Sequence, residues 1–315
     1  MEFPAGMPPT VRSEAQGIDL ACWAAQKQKW ITEVLLKHGA LLFRNFAVND
    51  LDHFENFTRV VSPSLLEYQE RSTPRQLVKK NIYTSTEYPP HLDIVQHNEH
   101  SYASSWPMKI FFYCHTPAGS GGETPIADSR EVYNRIPSTT RQLFERKGVM
   151  YARNFGHDLD LSWQEAYQTH DPAAVEAYCT QASISWEWLN GKRRLRTRQV
   201  RPAAARHPIT REWLWFNQAH LFHISALDAT TQVALRSTYQ EEDLPRQAFF
   251  GDGSHIAPAL LDEVRGIYSE VMKVFPWKQQ DVLAMDNMLM THGRKAFTGA
   301  RKILVAMGEP WDRTQ

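Results

Sequence analysis

Three stretches of this chain place a histidine two positions before a carboxylate: His53-Phe54-Glu55, His91-Leu92-Asp93 and His97-Asn98-Glu99. On a β-strand, residues i and i+2 point to the same face. An imidazole and a carboxylate held side by side can take adjacent positions around one metal ion. A second histidine arriving from elsewhere would complete a 2-His-1-carboxylate set with three positions open, the arrangement of non-haem iron(II) oxygenases. With 13 His and 35 acidic residues among 315, such pairs also arise by chance, so context must choose among them.

The surrounding elements make that choice. Asn49-Asp50 can cap a helix over 51–61, and residues two apart on a helix face different ways, so His53 and Glu55 form a poor metal pair. His91-Leu92-Asp93 follows Pro89-Pro90 directly, which suits a loop, and it ranks second. His97 and Glu99 stand just before an apolar run, 108–114, that reads as a buried strand. Elsewhere, apolar spacing predicts helices over 23–37, with Gly39 as the stop, from Ile136-Pro137 toward Gly148, and over 258–275. Strands are predicted over 40–46 and 212–218, with a hairpin at Asn190-Gly191. Segments 281–294 and 300–307 read as two closing strands flanking a polar turn. Residues 62–95, rich in Pro, read as irregular; this stretch holds Arg75, Thr84 and Glu87, polar groups of the kind that line binding sites.

Composition excludes several classes. Lys+Arg and Asp+Glu are 35 each, for a formal net charge of zero, so no basic field points to nucleic acid or a membrane surface. The N-terminus lacks the basic and apolar regions of a signal peptide, and no apolar run has the length of a membrane span. Cys22, Cys114 and Cys179 are odd in number and far apart. They fit three buried small hydrophobes in a reducing cytoplasm better than a disulfide framework. The Gly-rich turn at 117–122 lacks the spacing of a phosphate cradle. No repeat and no linker divides the chain, and a single domain over 1–315 is expected. Oligomeric state is not legible.

The chain resembles the TauD/TfdA-type Fe(II)/2-oxoglutarate dioxygenases, nearest the SyrP-like and clavaminate synthase-like branches. The resemblance runs from Gly39-Ala-Leu-Leu-Phe-Arg44 to the last strand. It is carried by His97-Asn98-Glu99 with Ser101-Tyr102 and Trp106-Pro107, by Gly121-Gly122-Glu123-Thr124, and by 215–222. Asp286-Asn287, His292-Gly293-Arg294 and 297–301 complete it. It implies a mainly β fold with flanking helices, a double-stranded β-helix or jelly-roll. It implies His97, Glu99 and His292 as catalytic metal ligands, with Fe(II), 2-oxoglutarate as cosubstrate and O₂. By family pattern the far carboxylate of 2-oxoglutarate is held by Arg301 and Thr124. A guanidinium fork matches a carboxylate in two bonds. Lys302 competes with Arg301, and only one of two strand neighbours can face the pocket.

Two departures narrow the substrate. The carboxylate ligand is Glu99 where many members carry Asp, and its presence argues against a halogenase. Val305 stands where taurine dioxygenase-like members carry a second arginine, which weakens the case for a sulfonate. The resemblance points to hydroxylation of an unactivated C–H bond in an amino acid, free or bound to a carrier protein, within natural-product biosynthesis. Expected substrate contacts are Arg75, Thr84, Glu87, Asn98, Tyr102, Trp215 and Asn217. Desaturation, epoxidation or cyclisation at the same site, or non-catalytic binding of metal or 2-oxoglutarate, are the alternatives.

Overall fold

A computed structural model describes residues 1–4, 6–15, 17–66, 77–79, 81–85, 88–156 and 161–313; Arg75 and Glu87 lie outside them. Its organising element is a seven-stranded sheet. The strand order is Thr10–Arg12, Ala40–Arg44, Val282–Asp286, Ser105–Thr116, Lys302–Asp312, Ile82–Thr84 and Leu77–Lys79. Alternation along these strands divides the apolar residues between two cores. Leu41, Phe43, Phe111, Tyr113, Val282, Ala284, Leu304 and Ala306 pack against the N-terminal helices Leu20–Ala25, Gln28–His38 and Leu51–Val61. Their neighbours Leu42, Ile110, Phe112, Leu283, Met285, Ile303 and Val305 form a second core, which also takes Ile126 and Met290. Those two belong to a three-stranded sheet ordered Ile94–His97, Met290–Arg294, Ile126–Asp128.

A further four-stranded sheet, Ser185–Leu189, Arg194–Arg201, Val149–Phe155 and Arg246–Phe250 in order, carries its own apolar clusters with the helices around it. The Asn190-Gly191 hairpin joins its first two strands, as predicted. Among the described residues, no helix is long and apolar enough to cross a membrane.

Local chemistry explains most element boundaries. Asp50 caps helix Leu51–Val61 by accepting from His53 N–H at 2.9 Å. Gly39, at φ 74°, closes Gln28–His38 with its N–H on Leu35 O. Several boundaries differ from the predicted ones. The 23–37 stretch is two helices broken at Gln26-Lys27. The helix predicted to 275 ends at Val271, and the 212–218 strand shrinks to Trp213–Trp215. Among its described residues the 62–95 region holds the short strands Leu77–Lys79 and Ile82–Thr84 and the start of Ile94–His97. Cys22 is exposed, and only Cys114 and Cys179 are buried.

Most consequential, 281–294 is not one strand but two, Val282–Asp286 and Met290–Arg294, lying in different sheets. Asp286 turns the chain between them: its Oδ1 accepts from Met288 and Leu289 N–H at 2.9 and 3.0 Å. The buried His207 donates from Nε2 to Asp286 Oδ2 at 3.0 Å. Its Nδ1 is committed as an acceptor for Thr210 N–H.

Candidate active site

His97 and His292 are direct partners across the antiparallel strands Ile94–His97 and Met290–Arg294, with ring centroids 4.4 Å apart. Gly293 permits this approach, because a Cβ there would lie 2.5 Å from Ile94 O. Glu99, two residues past the end of the pairing, brings its carboxylate back to both rings. Its Oε2 lies 3.8 Å from His97 Nε2 and 3.7 Å from His292 Nε2. One ligand atom from each residue falls within 4.8 Å of the others. The pattern singled out in sequence is thus joined by a residue 193 positions beyond Glu99.

This donor set fits a divalent metal ion. The Nδ1 of His97 lies 2.8 Å from Val95 O; a carbonyl only accepts, so the proton sits on Nδ1 and the Nε2 lone pair faces the cluster. Two donors each about 2.1 Å from one metal, at right angles, lie about 3 Å apart. The separations here close to that value with movements of under about 1 Å. Glu99 is 3% and His292 5% exposed, so a bound cation would have little competition from water.

From the histidines a cavity runs toward Arg301 and Thr124, walled by Ile94, Phe112, Ile303 and Val305. Ile303 and Val305 share one face of the strand Lys302–Asp312, and Arg301, just before that strand, lines the same cavity. Lys302 is exposed. Arg301 donates from Nε to Gly122 O at 2.8 Å and from Nη1 to Ser85 Oγ at 3.2 Å. It lies against Gly122, where a Cβ would sit 2.9 Å from Arg301 Cδ. Burial, with Arg294 nearby, pushes its pKa down to about 10. The guanidinium therefore stays charged at neutral pH in a desolvated setting, which favours an incoming carboxylate. The buried Thr124 Oγ1 accepts from Trp277 Nε1–H at 3.1 Å, so its own hydroxyl proton is free to point elsewhere.

Sequence reasoning did not find Ser85, Trp277, Phe112 or Arg294. Ser85 and Trp277 reach the site from separate loops with no shared motif. Phe112 had a signal, since alternation along 108–114 assigns it the face opposite Phe111 and Tyr113. Of the residues expected to contact substrate, Thr84 lies in the strand beside the cavity, but its neighbour Ser85 lines it. Asn98, Tyr102, Trp215 and Asn217 are not brought to the cavity wall; all four are essentially fully buried. Tyr102 and Trp215 pack in the cluster under the four-stranded sheet. Asn217 is committed to backbone, donating to Ala203 O and accepting from Ala219 N–H. Asn98 is likewise turned away from the cavity.

Comparison with known proteins places the chain in a family. The chain is 44% identical over 280 residues to the dapdiamide synthesis protein DdaC of Enterobacter agglomerans, covering 89% of this chain and 85% of that one. It is 29% identical over 321 residues to a clavaminate synthase-like protein of Arabidopsis thaliana, covering 97% and 93%. Among solved structures it shares the fold of PvcB, an Fe, alpha-ketoglutarate dependent oxygenase from an isonitrile synthetic pathway. That match has a TM-score of 0.55 at 17% identity, over 96% of this chain and 86% of that one. The family model for the taurine catabolism dioxygenase TauD, TfdA family matches residues 5–307. With nearly its whole length matched, the chain belongs to the TauD/TfdA family of iron(II)- and 2-oxoglutarate-dependent dioxygenases.

Proposed function

We propose that this protein hydroxylates an unactivated C–H bond in an amino acid or an amino-acid-derived intermediate, free or carrier-bound, during natural-product biosynthesis. In this reading His97, Glu99 and His292 hold iron(II). Arg301 and Thr124 hold the far carboxylate of 2-oxoglutarate, and the seven- and three-stranded sheets are the two leaves of a jelly-roll. The observation that carries it is the convergence of two facing imidazoles and one carboxylate at one end of a cavity whose other end holds a buried guanidinium. The names of two relatives, one from dapdiamide synthesis and one from an isonitrile pathway, support a natural-product substrate.

Bound iron(II) with 2-oxoglutarate and dioxygen supplies an oxidant strong enough for a C–H bond. The chain's own work is placement. The Val95 carbonyl presets the His97 tautomer, Gly293 lets the two histidine strands close, and Ser85 and Gly122 O orient the Arg301 fork. Ile94, Phe112, Ile303 and Val305 keep the space between metal and guanidinium apolar, so each polar contact is made at low dielectric.

The test offers free amino acids and their carrier-bound forms with Fe(II), 2-oxoglutarate and O₂. Succinate release coupled to a product heavier by one oxygen is expected. A product lighter by two hydrogens would replace hydroxylation with desaturation. A visible 2-oxoglutarate band without turnover on any substrate would favour a binding protein.

A further inference from the structure

Pairing between the two histidine strands is recorded up to His97 and His292, yet Glu99 lies beyond it. Two buried amides hold that segment. Asn287, in the turn between Val282–Asp286 and Met290–Arg294, accepts Glu99 N–H on Oδ1 at 2.7 Å. Its Nδ2 donates to Glu99 O at 2.9 Å and to Pro107 O at 2.9 Å. One side-chain amide thus makes to Glu99 both hydrogen bonds that a paired strand residue would make.

Asn98 answers from the opposite side. Its Nδ2 donates to Asn287 O at 2.6 Å, with Ser129 Oγ at 3.1 Å and Met290 O, at the start of the strand that carries His292, at 3.2 Å. Gln218 Nε2 donates to Asn98 O at 2.7 Å and completes the junction. Asn98 and Asn287 are both 0% exposed. Neither faces the cavity, and each spends its amide on the segment that carries the other.

We propose that Asn98 and Asn287 form a reciprocal amide clamp that holds the Glu99 carboxylate in register with His97 and His292, so that they set metal affinity and not substrate contact. The proposal rests on the reading of those three residues as metal ligands. Its physical basis is that a ligand on a segment free to shift loses preorganisation, and outer partners of metal ligands typically account for about 10- to 100-fold in affinity. The clamp also specifies which part of the turn matters: Asp286 shapes it, whereas the Asn287 side chain and carbonyl grip the Asn98–Glu99 segment.

The experiment titrates metal-free full-length protein with Co(II) under anaerobic conditions, Co(II) being a non-oxidising stand-in for Fe(II) in the same donor set. It compares the wild type with Asn98→Ala, Asn287→Ala, the double variant, His97→Ala and Asn217→Ala. Asn217 is the control, a buried asparagine whose own amide bonds Ala203 O and Ala219 N–H, outside both ligand segments, although its neighbour Gln218 reaches Asn98 O. Asn98→Ala and Asn287→Ala weaken Co(II) binding by about tenfold or more. The double variant falls short of the product of the singles, because both serve one junction. Asn217→Ala lowers the Tm and leaves the affinity within about twofold of wild type. In the clamp variants, saturating Fe(II) restores the full visible band with 2-oxoglutarate, since all three ligands remain.

Wild-type affinity in Asn98→Ala and Asn287→Ala, or an equal loss in Asn217→Ala, overturns the clamp. Unchanged affinity in His97→Ala would instead sink the metal reading, so the two failures are distinguishable. Where an alanine form fails to fold, the isosteric Asn98→Asp and Asn287→Asp carry the same comparison. Both turn the Nδ2 donor into an acceptor facing carbonyls; affinity within about twofold of wild type in these forms overturns the clamp equally.

Discussion

His53-Phe54-Glu55 and His97-Asn98-Glu99 present the same pattern in two regions, and the molecule uses them oppositely. The first pair sits on the helix Leu51–Val61. There His53 Nδ1 meets Asp50 Oδ1 at 2.6 Å, while Glu55 holds Arg59 at 2.8 Å and Lys79 at 3.0 Å. Each member is absorbed by a partner of its own. The second pair lies where a strand ends against another strand, so that a second imidazole, His292, arrives directly opposite His97. A histidine two places from a carboxylate is therefore not a site until another element converges on the same face.

The sharpest way to break this contrast is to remove the ligands. His97→Ala, Glu99→Ala and His292→Ala are each expected to reduce coupled succinate formation by at least about 10³-fold, the several kcal/mol a bound metal supplies. Full activity in any one would move the metal elsewhere. Next, Arg301→Ala should raise the 2-oxoglutarate requirement by about 30-fold or more, as expected for truncating a buried charge-assisted pair. Lys302→Ala should leave it unchanged; the reverse pattern would reassign the anchor. Trp277→Phe removes the hydrogen bond to Thr124 and part of the indole's packing on Phe275, and should raise the same requirement about fivefold or more, the cost of at least one neutral hydrogen bond.

Smaller effects sharpen the comparison between buried and surface histidines. Burial, with Arg265 nearby, pushes the pKa of His223 down to about 4 from its ordinary 6.5. Between those values the unfolded chain takes up the proton first, so stability should fall as pH drops through that window. The Tm measured from pH 7 to pH 4.5 should decline more steeply in wild type than in His223→Asn, which keeps an acceptor for Ser225 N–H. Finally, His53→Ala should leave succinate formation unchanged, because exposed ion pairs carry little.

The sequence made the site legible where chemistry and alternation agreed. Strand spacing made His97 and Glu99 one of three candidate pairs, although Glu99 lies past the strand's end; the resemblance proposed the pair with His292, Thr124 and Arg301. Alternation could also have corrected one reading: if His97 and Glu99 share a face, Asn98 must point the other way, so its place in a motif says nothing about substrate. Tyr102, Trp215 and Asn217 failed for a related reason, since proximity in a motif does not encode the direction in which a side chain packs. The division of 281–294 into two strands was hidden because its turn uses no Gly or Pro; the Asp286 side chain makes it. The helix break at Gln26-Lys27 likewise has no local breaker.

The division of the long strands between two cores carries a consequence for how this protein can change. Ser105–Thr116 gives Phe111 and Tyr113 to the N-terminal helices and Phe112 to the cavity. Lys302–Asp312 does the same with Leu304 and Val305. Substitution at the cavity-facing parity can therefore reshape the reaction chamber without touching the helix-packed layer, and the reverse holds too. A one-residue insertion or deletion in either strand exchanges the two sets at once. Such a lesion would put a helix-packing side chain over the metal and a cavity wall against the helices, so length in these strands should be far less tolerant than residue identity.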